Sequence, residues 1–232
     1  MTKTKDEWRQ ELQGEMAAGS GGKVAEVVRR QEAYRRSHRI FVSPAPALSQ
    51  LRINALLDGK ELIMPGPGLK EGFYRLRPFV TPLPKLGLAV SLKGVSSHGQ
   101  LIYHHDLAGL AIDLLLTEAV AVDGEGHRLG DGSGFFDLSC AILNHCRALT
   151  ATPTIWAVAV SKTTEPLPSD PWDVRVHGLL EPQGLTFFSH QDPLPSIDWR
   201  QLPMPRIKKV TPLWKEWERH QGTPPSSPSC AA

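Results

Sequence analysis

Arg128-Leu129-Gly130-Asp131-Gly132-Ser133-Gly134-Phe135-Phe136-Asp137 (RLGDGSGFFD) sets three alternating glycines between a strand pair and a helix. Glycine adopts positive φ without strain and lets backbone N–H groups come close to a ligand. The helix that follows offers unpaired N–H donors and a partial positive charge at its first turn. Together these features describe an anion site. Arg128 at the mouth adds a fork of donors suited to phosphate. Asp137, about one turn into the helix, is placed to hold Mg²⁺ against phosphate oxygens. The stretch is not a P-loop, because no Gly-Lys-Ser/Thr follows, and it is not a dinucleotide GxGxxG. Nor is it a nucleophile elbow, because Asp131 and Phe135 stand where that motif needs glycines around Ser133. On physics alone, a tight structural turn before a helix explains the glycines as well as a phosphate site does.

Outward from the loop, the pattern is that of an α/β domain. Upstream, Ala111–Leu116 and Ala119–Val122 read as buried strands and Asp123-Gly124-Glu125-Gly126 as a turn. Downstream, Gly134–Leu149 carries Phe135, Leu138, Ile142 and Leu149 at helical spacing. Thr154–Val160 (TIWAVAV) is rich in β-branched and aromatic residues and reads as a strand, as does Asp173–Leu180. Towards the N-terminus, helices are expected over Thr4–Met16 and Lys23–Arg36, separated by the breaker Gly19-Ser20-Gly21-Gly22. Arg39–Ser43 and Glu61–Pro65 read as strands flanking a helix over Leu48–Asp58, with Gly59 as its stop. Helices and strands alternating over short links give a largely parallel sheet.

The bulk composition narrows the function classes. Apolar residues make up 41% and charged residues 22% of the 232, so a buried core is expected. A net charge of +2 argues against a dedicated nucleic-acid binder. The cluster Arg29, Arg30, Arg35, Arg36, Arg39 reads mainly as a solvated helix face. Cys140, Cys146 and Cys230 show no CxxC spacing, which fits a reducing compartment, and Cys140 and Cys146 fall on differing faces of one helix. No stretch approaches the ~20 apolar residues of a membrane span, and the polar N-terminus lacks a secretion signal. A cytoplasmic protein is the expectation, with monomer or dimer left open. His104-His105-Asp106 has metal-ligand chemistry, but adjacent histidines rarely hold one ion and no HExxH or CxxC accompanies them. After His190 the character changes. Eight of the twenty prolines lie there, Leu213–Arg219 reads as a short docking helix, and the ending GTPPSSPSCAA is expected to be disordered.

RLGDGSGFFDL resembles the signature of the 5-formyltetrahydrofolate cyclo-ligase (methenyltetrahydrofolate synthetase) family, R-[LI]-G-x-G-x-G-[YF]-[YA]-D. Arg128, Gly130, Gly132, Gly134 and Asp137 fit it position by position. Ile112–Leu116 followed by AVAVDGEGHRLG is similar to the family's approach to the loop. Pro166–Val176 resembles its "P…HD..VD" segment, and Gly59–Pro65 its "GK…P" junction. Lys5 and Arg9 match a Lys-x-x-x-Arg pair that contacts ATP phosphates in the family. Within the family, Ser43–Tyr74 is most similar to the methenyltetrahydrofolate synthetase domain-containing branch. The resemblance runs over residues 4–190 and implies a three-layer α/β/α domain at 1–190, followed by a Pro-rich extension at 191–232.

The resemblance also implies a chemistry. ATP phosphorylates the formyl oxygen of 5-formyltetrahydrofolate, the neighbouring folate nitrogen attacks, and phosphate leaves to give 5,10-methenyltetrahydrofolate. Such a reaction runs on positioning and electrostatics. Arg128 and Asp137 are then the catalytic residues, with Asp137 holding Mg²⁺. Lys5, Arg9, Gly130, Asp131, Gly132, Ser133, Gly134 and Phe135 bind ATP. Phe135, Phe136 and Trp156 are candidate pterin surfaces, although Trp156 reads better as core. Departures from the pattern are specific. Ala45-Pro46-Ala47 stands where a folate-anchoring acid is expected, Ser133 where a basic residue is frequent, Phe135-Phe136 in place of tyrosines, and Trp172 in place of the His of "HD". They support a second reading, a re-tasked paralogue that binds a nucleotide or pterin-like metabolite without turnover.

Overall fold

The structure, a computed structural model, describes residues 3–12, 20–189 and 192–222. Its elements, in chain order, are α1 (Lys5–Glu11), α2 (Ser20–Arg30), α3 (Glu32–Arg36), β1 (Arg39–Val42), α4 (Ser49–Leu57), β2 (Glu61–Pro65) and β3 (Phe73–Leu76). Then come α5 (Leu86–Ala89), α6 (Val95–His98), β4 (Gln100–Ile102), β5 (Ile112–Val122), β6 (Arg128–Leu129), α7 (Phe135–His145) and β7 (Leu149–Lys162). The last are β8 (Gly178–Glu181), β9 (Gly184–Phe187), α8 (Met204–Lys209) and α9 (Thr211–Gly222).

One nine-stranded sheet runs in the order β4-β3-β2-β1-β5-β7-β8-β9, with the short β6 also on β5. Its centre, β2-β1-β5-β7-β8, is parallel, and its margins are antiparallel. Strands buried on both faces suit the apolar runs of the sequence. Alternate residues divide between two cores, as the two-residue strand period requires. Phe41, Ile63, Leu115 and Ile155 face one core, closed by α7, α8 and α9. Ile40, Leu62, Leu114 and Trp156 face the other, closed by α2, α4 and α5. The architecture is therefore three-layer α/β/α.

Differences from the sequence reading have local causes. The two expected strands 111–116 and 119–122 are one strand, β5, because β7 pairs with it from Ile112 to Val122 across Thr117-Glu118. The helix expected to reach Leu149 ends at His145. Arg147 turns out of it at φ +55, and Leu149 opens β7. Asp173–His177 is not strand. Its N–H groups go elsewhere, Val174 to Asp137 and Val176 to the Gly126 carbonyl. Ser20, Gly21 and Gly22 open α2 instead of breaking it. A Cβ on Gly21 would stand 2.6 Å from the Ala47 carbonyl, so the glycine permits close helix packing there. The helix expected over 23–36 divides at Gln31, which takes an extended conformation. The expected docking helix is α9, and the strands β3, β4 and β9 were not anticipated. From the C-terminal segment, Ile197, Ile207, Val210 and Leu213 join the α7-side core. The proline-rich ending lies outside the described residues.

The arginine cluster behaves as a solvated, paired face. Arg29 bonds Asp58 and Glu26, Arg36 pairs with Glu32, and Arg39 bonds Glu61. No helix among the described residues is long and apolar enough to cross a membrane.

Candidate active site

The connection from β1 leads through α4 to β2 on one side, whereas β5 leads through α7 to β7 on the other. Such a reversal opens a crevice at the carboxyl ends of parallel strands, the usual ligand site of open α/β sheets. A cavity of about 850 Å³ lies there, walled by Ser43 and Ala45 after β1, by Gly66 after β2, and by Thr117 and Glu118 of β5. All ten residues that the sequence assigned to catalysis or ATP binding line it.

The glycine loop is held from three directions. Gly132 and Gly134 take φ of +92 and +64, a backbone that a side chain would strain. Gly134 is the N-cap of α7 and has no side chain to cap it. Within the loop, Asp131 accepts from the N–H and the hydroxyl of Ser133, at 2.9 and 2.7 Å. From the N-terminal helix, Arg9 Nε donates to the Gly130 carbonyl at 2.9 Å, across 121 positions. From α8, Arg206 Nη2 donates to the Ser133 carbonyl at 2.8 Å, and its guanidinium lies over the Phe135 ring.

Beneath the loop, Arg128 Nη2 donates to both Asp137 oxygens at 2.7 Å. The two side chains are 5% and 14% exposed, so the pair is largely desolvated. Val174 N–H adds a third bond, to Asp137 Oδ1 at 3.0 Å. Among the described residues Asp137 Oδ2 accepts from Arg128 alone, and a carboxylate oxygen has room for a second partner. The donor set therefore suits an ion carried on phosphates, which needs only one or two protein carboxylates.

The remaining residues divide. Lys5 Nζ bonds Asp170 Oδ2 at 2.6 Å and also pairs with Asp173. Burial pulls its pKa down, but the two carboxylates outweigh this and hold it raised. Phe135 is 40% exposed towards the cavity, whereas Phe136 packs on Phe41 with Arg128 above its ring. Trp156 is 1% exposed in the opposite core and does not line the cavity. Lys60 of the "GK" segment is buried away from the cavity, donating to the Ser37 carbonyl over the Tyr34 ring.

Three further residues belong to the site. Arg206 carries no motif, and only the folded chain brings it to the loop. Glu118 projects from β5 into the cavity. Burial, then the Asp131 charge, push its carboxyl up, with Arg52 opposing. Arg52, 2% exposed, donates to the carbonyls of Ser43, Ala45 and Val90, and so shapes the wall after β1. Burial brings its pKa down to about 10, with the Glu118 charge opposing. An arginine in the middle of the amphipathic stretch 48–58 was the available signal.

The chain is thus an open α/β sheet with a glycine loop and the N-terminus of α7 at its switch-point cavity. The profile of the 5-formyltetrahydrofolate cyclo-ligase family matches residues 3–182, and the chain belongs to that family. Among curated relatives, the methenyltetrahydrofolate synthase domain-containing protein of Homo sapiens is 25% identical over 187 residues, covering 77% of this chain and 48% of the relative. That of Bos taurus is 27% identical over 207 residues, covering 86% and 53%. The chain thus spans about half the length of the curated relatives it matches. Among solved structures, the 5,10-methenyltetrahydrofolate synthetase of Aquifex aeolicus is similar at 20% identity and TM-score 0.47, covering 82% of this chain and 88% of that one.

Proposed function

We propose that the chain converts 5-formyltetrahydrofolate and ATP into 5,10-methenyltetrahydrofolate, ADP and phosphate. The observation that carries this reading is the convergence of Arg9, Arg128 and Arg206 on one glycine loop at the switch-point cavity. In this reading the ATP phosphates lie along residues 130–134, facing the first-turn N–H groups of α7. Arg9 and Arg206 hold the loop in shape and add positive charge. Lys5 reaches the phosphates by exchanging Asp170 or Asp173 for them. Mg²⁺, when bound, supplies charge neutralisation on the phosphates, and Asp137 is the residue placed to hold it.

The formyl oxygen takes the terminal phosphoryl group as the bridging P–O bond of ATP breaks. The neighbouring folate nitrogen then bonds to the formyl carbon, its N–H proton passes to the departing phosphate or to solvent, and the C–O bond to phosphate breaks. The protein's part is alignment and charge stabilisation. Phe135 offers the pterin an aromatic face. Glu118 stands beside the wall containing Ala45 and supplies the acid missing at residues 45–47. A reducing, cytoplasmic setting belongs to this reading and is supported by the free thiols Cys140 and Cys146.

A second reading, a paralogue that binds a nucleotide or pterin-like metabolite without turnover, is favoured by one observation: Lys5 is already committed to two carboxylates. Absorbance in the methenyltetrahydrofolate band separates the two. Folded protein with 5-formyltetrahydrofolate, Mg²⁺ and ATP is expected to give ATP-dependent product, lost in Asp137→Ala. No product from protein that still binds ATP would establish the second reading instead.

A further inference from the structure

Away from the cavity, three side chains with metal-ligand chemistry meet at the far end of α7. His104 comes from the turn after β4, Cys146 caps the C-terminus of α7, and Glu216 comes from α9. His104 Nε2 lies 2.5 Å from Glu216 Oε1. Cys146 Sγ lies 3.8 Å from His104 Nε2 and 4.0 Å from Glu216 Oε1. All three ligand atoms fall within 4.8 Å of one another. The His104 and Glu216 side chains are 10% and 11% exposed, so the group is sheltered from water. His145 Nε2 stands 3.0 Å from the other Glu216 oxygen, where it fixes the carboxylate's orientation.

We propose that His104, Cys146 and Glu216 form a zinc site, with the fourth position left to water. The ligand chemistry selects the metal. Thiolate and imidazole favour zinc over magnesium or calcium, and one carboxylate completes a mixed N, S, O set. The spacing is suitable as well. Bonds of about 2.3 Å to sulfur and about 2.0 Å to nitrogen place tetrahedral S···N neighbours about 3.5 Å apart. The two sulfur separations already approach that value, and the His104–Glu216 hydrogen bond opens by under about 1 Å to admit the ion. Cys146 coordinates as thiolate, its proton leaving to solvent. Arg219, which donates to Glu216 Oε1 at 3.1 Å from a 63% exposed position, swings away as the cation takes that oxygen.

The site's role follows from its place. His104, Cys146 and Glu216 are 42 and 70 positions apart along the chain. One ion therefore clasps the C-terminal segment to α7 and to the β4 edge of the sheet. None of the three lines the large cavity, so the inference stands apart from the proposed reaction.

Elemental analysis of full-length protein, freed of any affinity tag and grown with added zinc, tests it. About one zinc per chain is expected. Cobalt added to the metal-stripped protein should give a thiolate-to-cobalt charge-transfer band and tetrahedral visible bands. His104→Gln should reduce the bound metal, and Cys146→Ser should abolish the charge-transfer band. His105→Gln, at an exposed neighbour, should leave both intact. Folded wild-type protein that holds no zinc and shows no cobalt–thiolate band would overturn the site. So would zinc retained undiminished in folded His104→Gln and Cys146→Ser.

Discussion

Arg206 Nη2 donates to the Ser133 carbonyl at 2.8 Å, so a helix 73 positions downstream is tied to the glycine loop. The family match ends at residue 182, so Arg206 lies beyond the matched residues. It also returns a positive charge to a loop whose variable position is Ser133. Arg206→Ala is expected to weaken ATP binding about tenfold, about 1.4 kcal/mol, in line with the loss of a charged hydrogen bond. Amide hydrogen exchange at residues 131–135 should speed up while the thermal midpoint barely moves. Unchanged exchange there would show that the loop holds itself.

Arg128 and Asp137 form a largely buried pair directly under that loop. Removing one partner strands the other's charge, at a cost of about 3–5 kcal/mol. Arg128→Met and Asp137→Asn should each lower the urea midpoint strongly. The double variant should recover much of the loss, because neither charge is then left alone. Strict additivity in this cycle would mean the pair contributes no coupling.

Glu118 is held in its protonated direction by burial and by Asp131. Its folded pKa lies above its unfolded value, so the ionised form is disfavoured in the fold, and stability falls as pH rises through that window. Glu118→Gln should therefore raise the thermal midpoint at neutral pH. If the carboxylate orients the pterin, the same change raises KM for 5-formyltetrahydrofolate about tenfold, consistent with losing a charged hydrogen bond, and leaves ATP binding alone. A lower midpoint with unchanged KM would remove Glu118 from the site.

Asp123, 2% exposed, accepts from the N–H groups of Glu125 and His127 at 2.9 Å and of Leu167 at 3.0 Å. Burial pushes its pKa up, but the three N–H bonds and the His127 ring outweigh this and hold it below 3.8. A depressed folded pKa stabilises fully above the unfolded value and is lost as pH falls through the folded one. Asp123→Asn should cost about 2 kcal/mol at neutral pH. The gap from wild type should close on acidification below about pH 4, as titrated by circular dichroism. A gap that stays constant with pH would assign the cost to packing instead of charge.

The glycine loop, the alternation of helix and strand, and the parallel sheet were legible in the chain because each is written locally. Positive φ calls for glycine at 132 and 134, and apolar periodicity records which faces are buried. Strand ends were less legible, because pairing partners set them. β7 draws Thr117-Glu118 into one long strand, and bonds to Asp137 and Gly126 keep 173–177 out of the sheet. Lys5 and Arg9 could be read as a pair by their spacing, yet only folding shows that Arg9 holds Gly130 while Lys5 is bound by Asp170 and Asp173. The nearness of Glu118 to the loop could be read from the strand that leads into it, whereas the approach of Arg206 to Ser133 and of His104 to Cys146 and Glu216 left no mark in any short window. Side chains distant in the sequence meet only when the layers pack, and their spacing along the chain is then unconstrained.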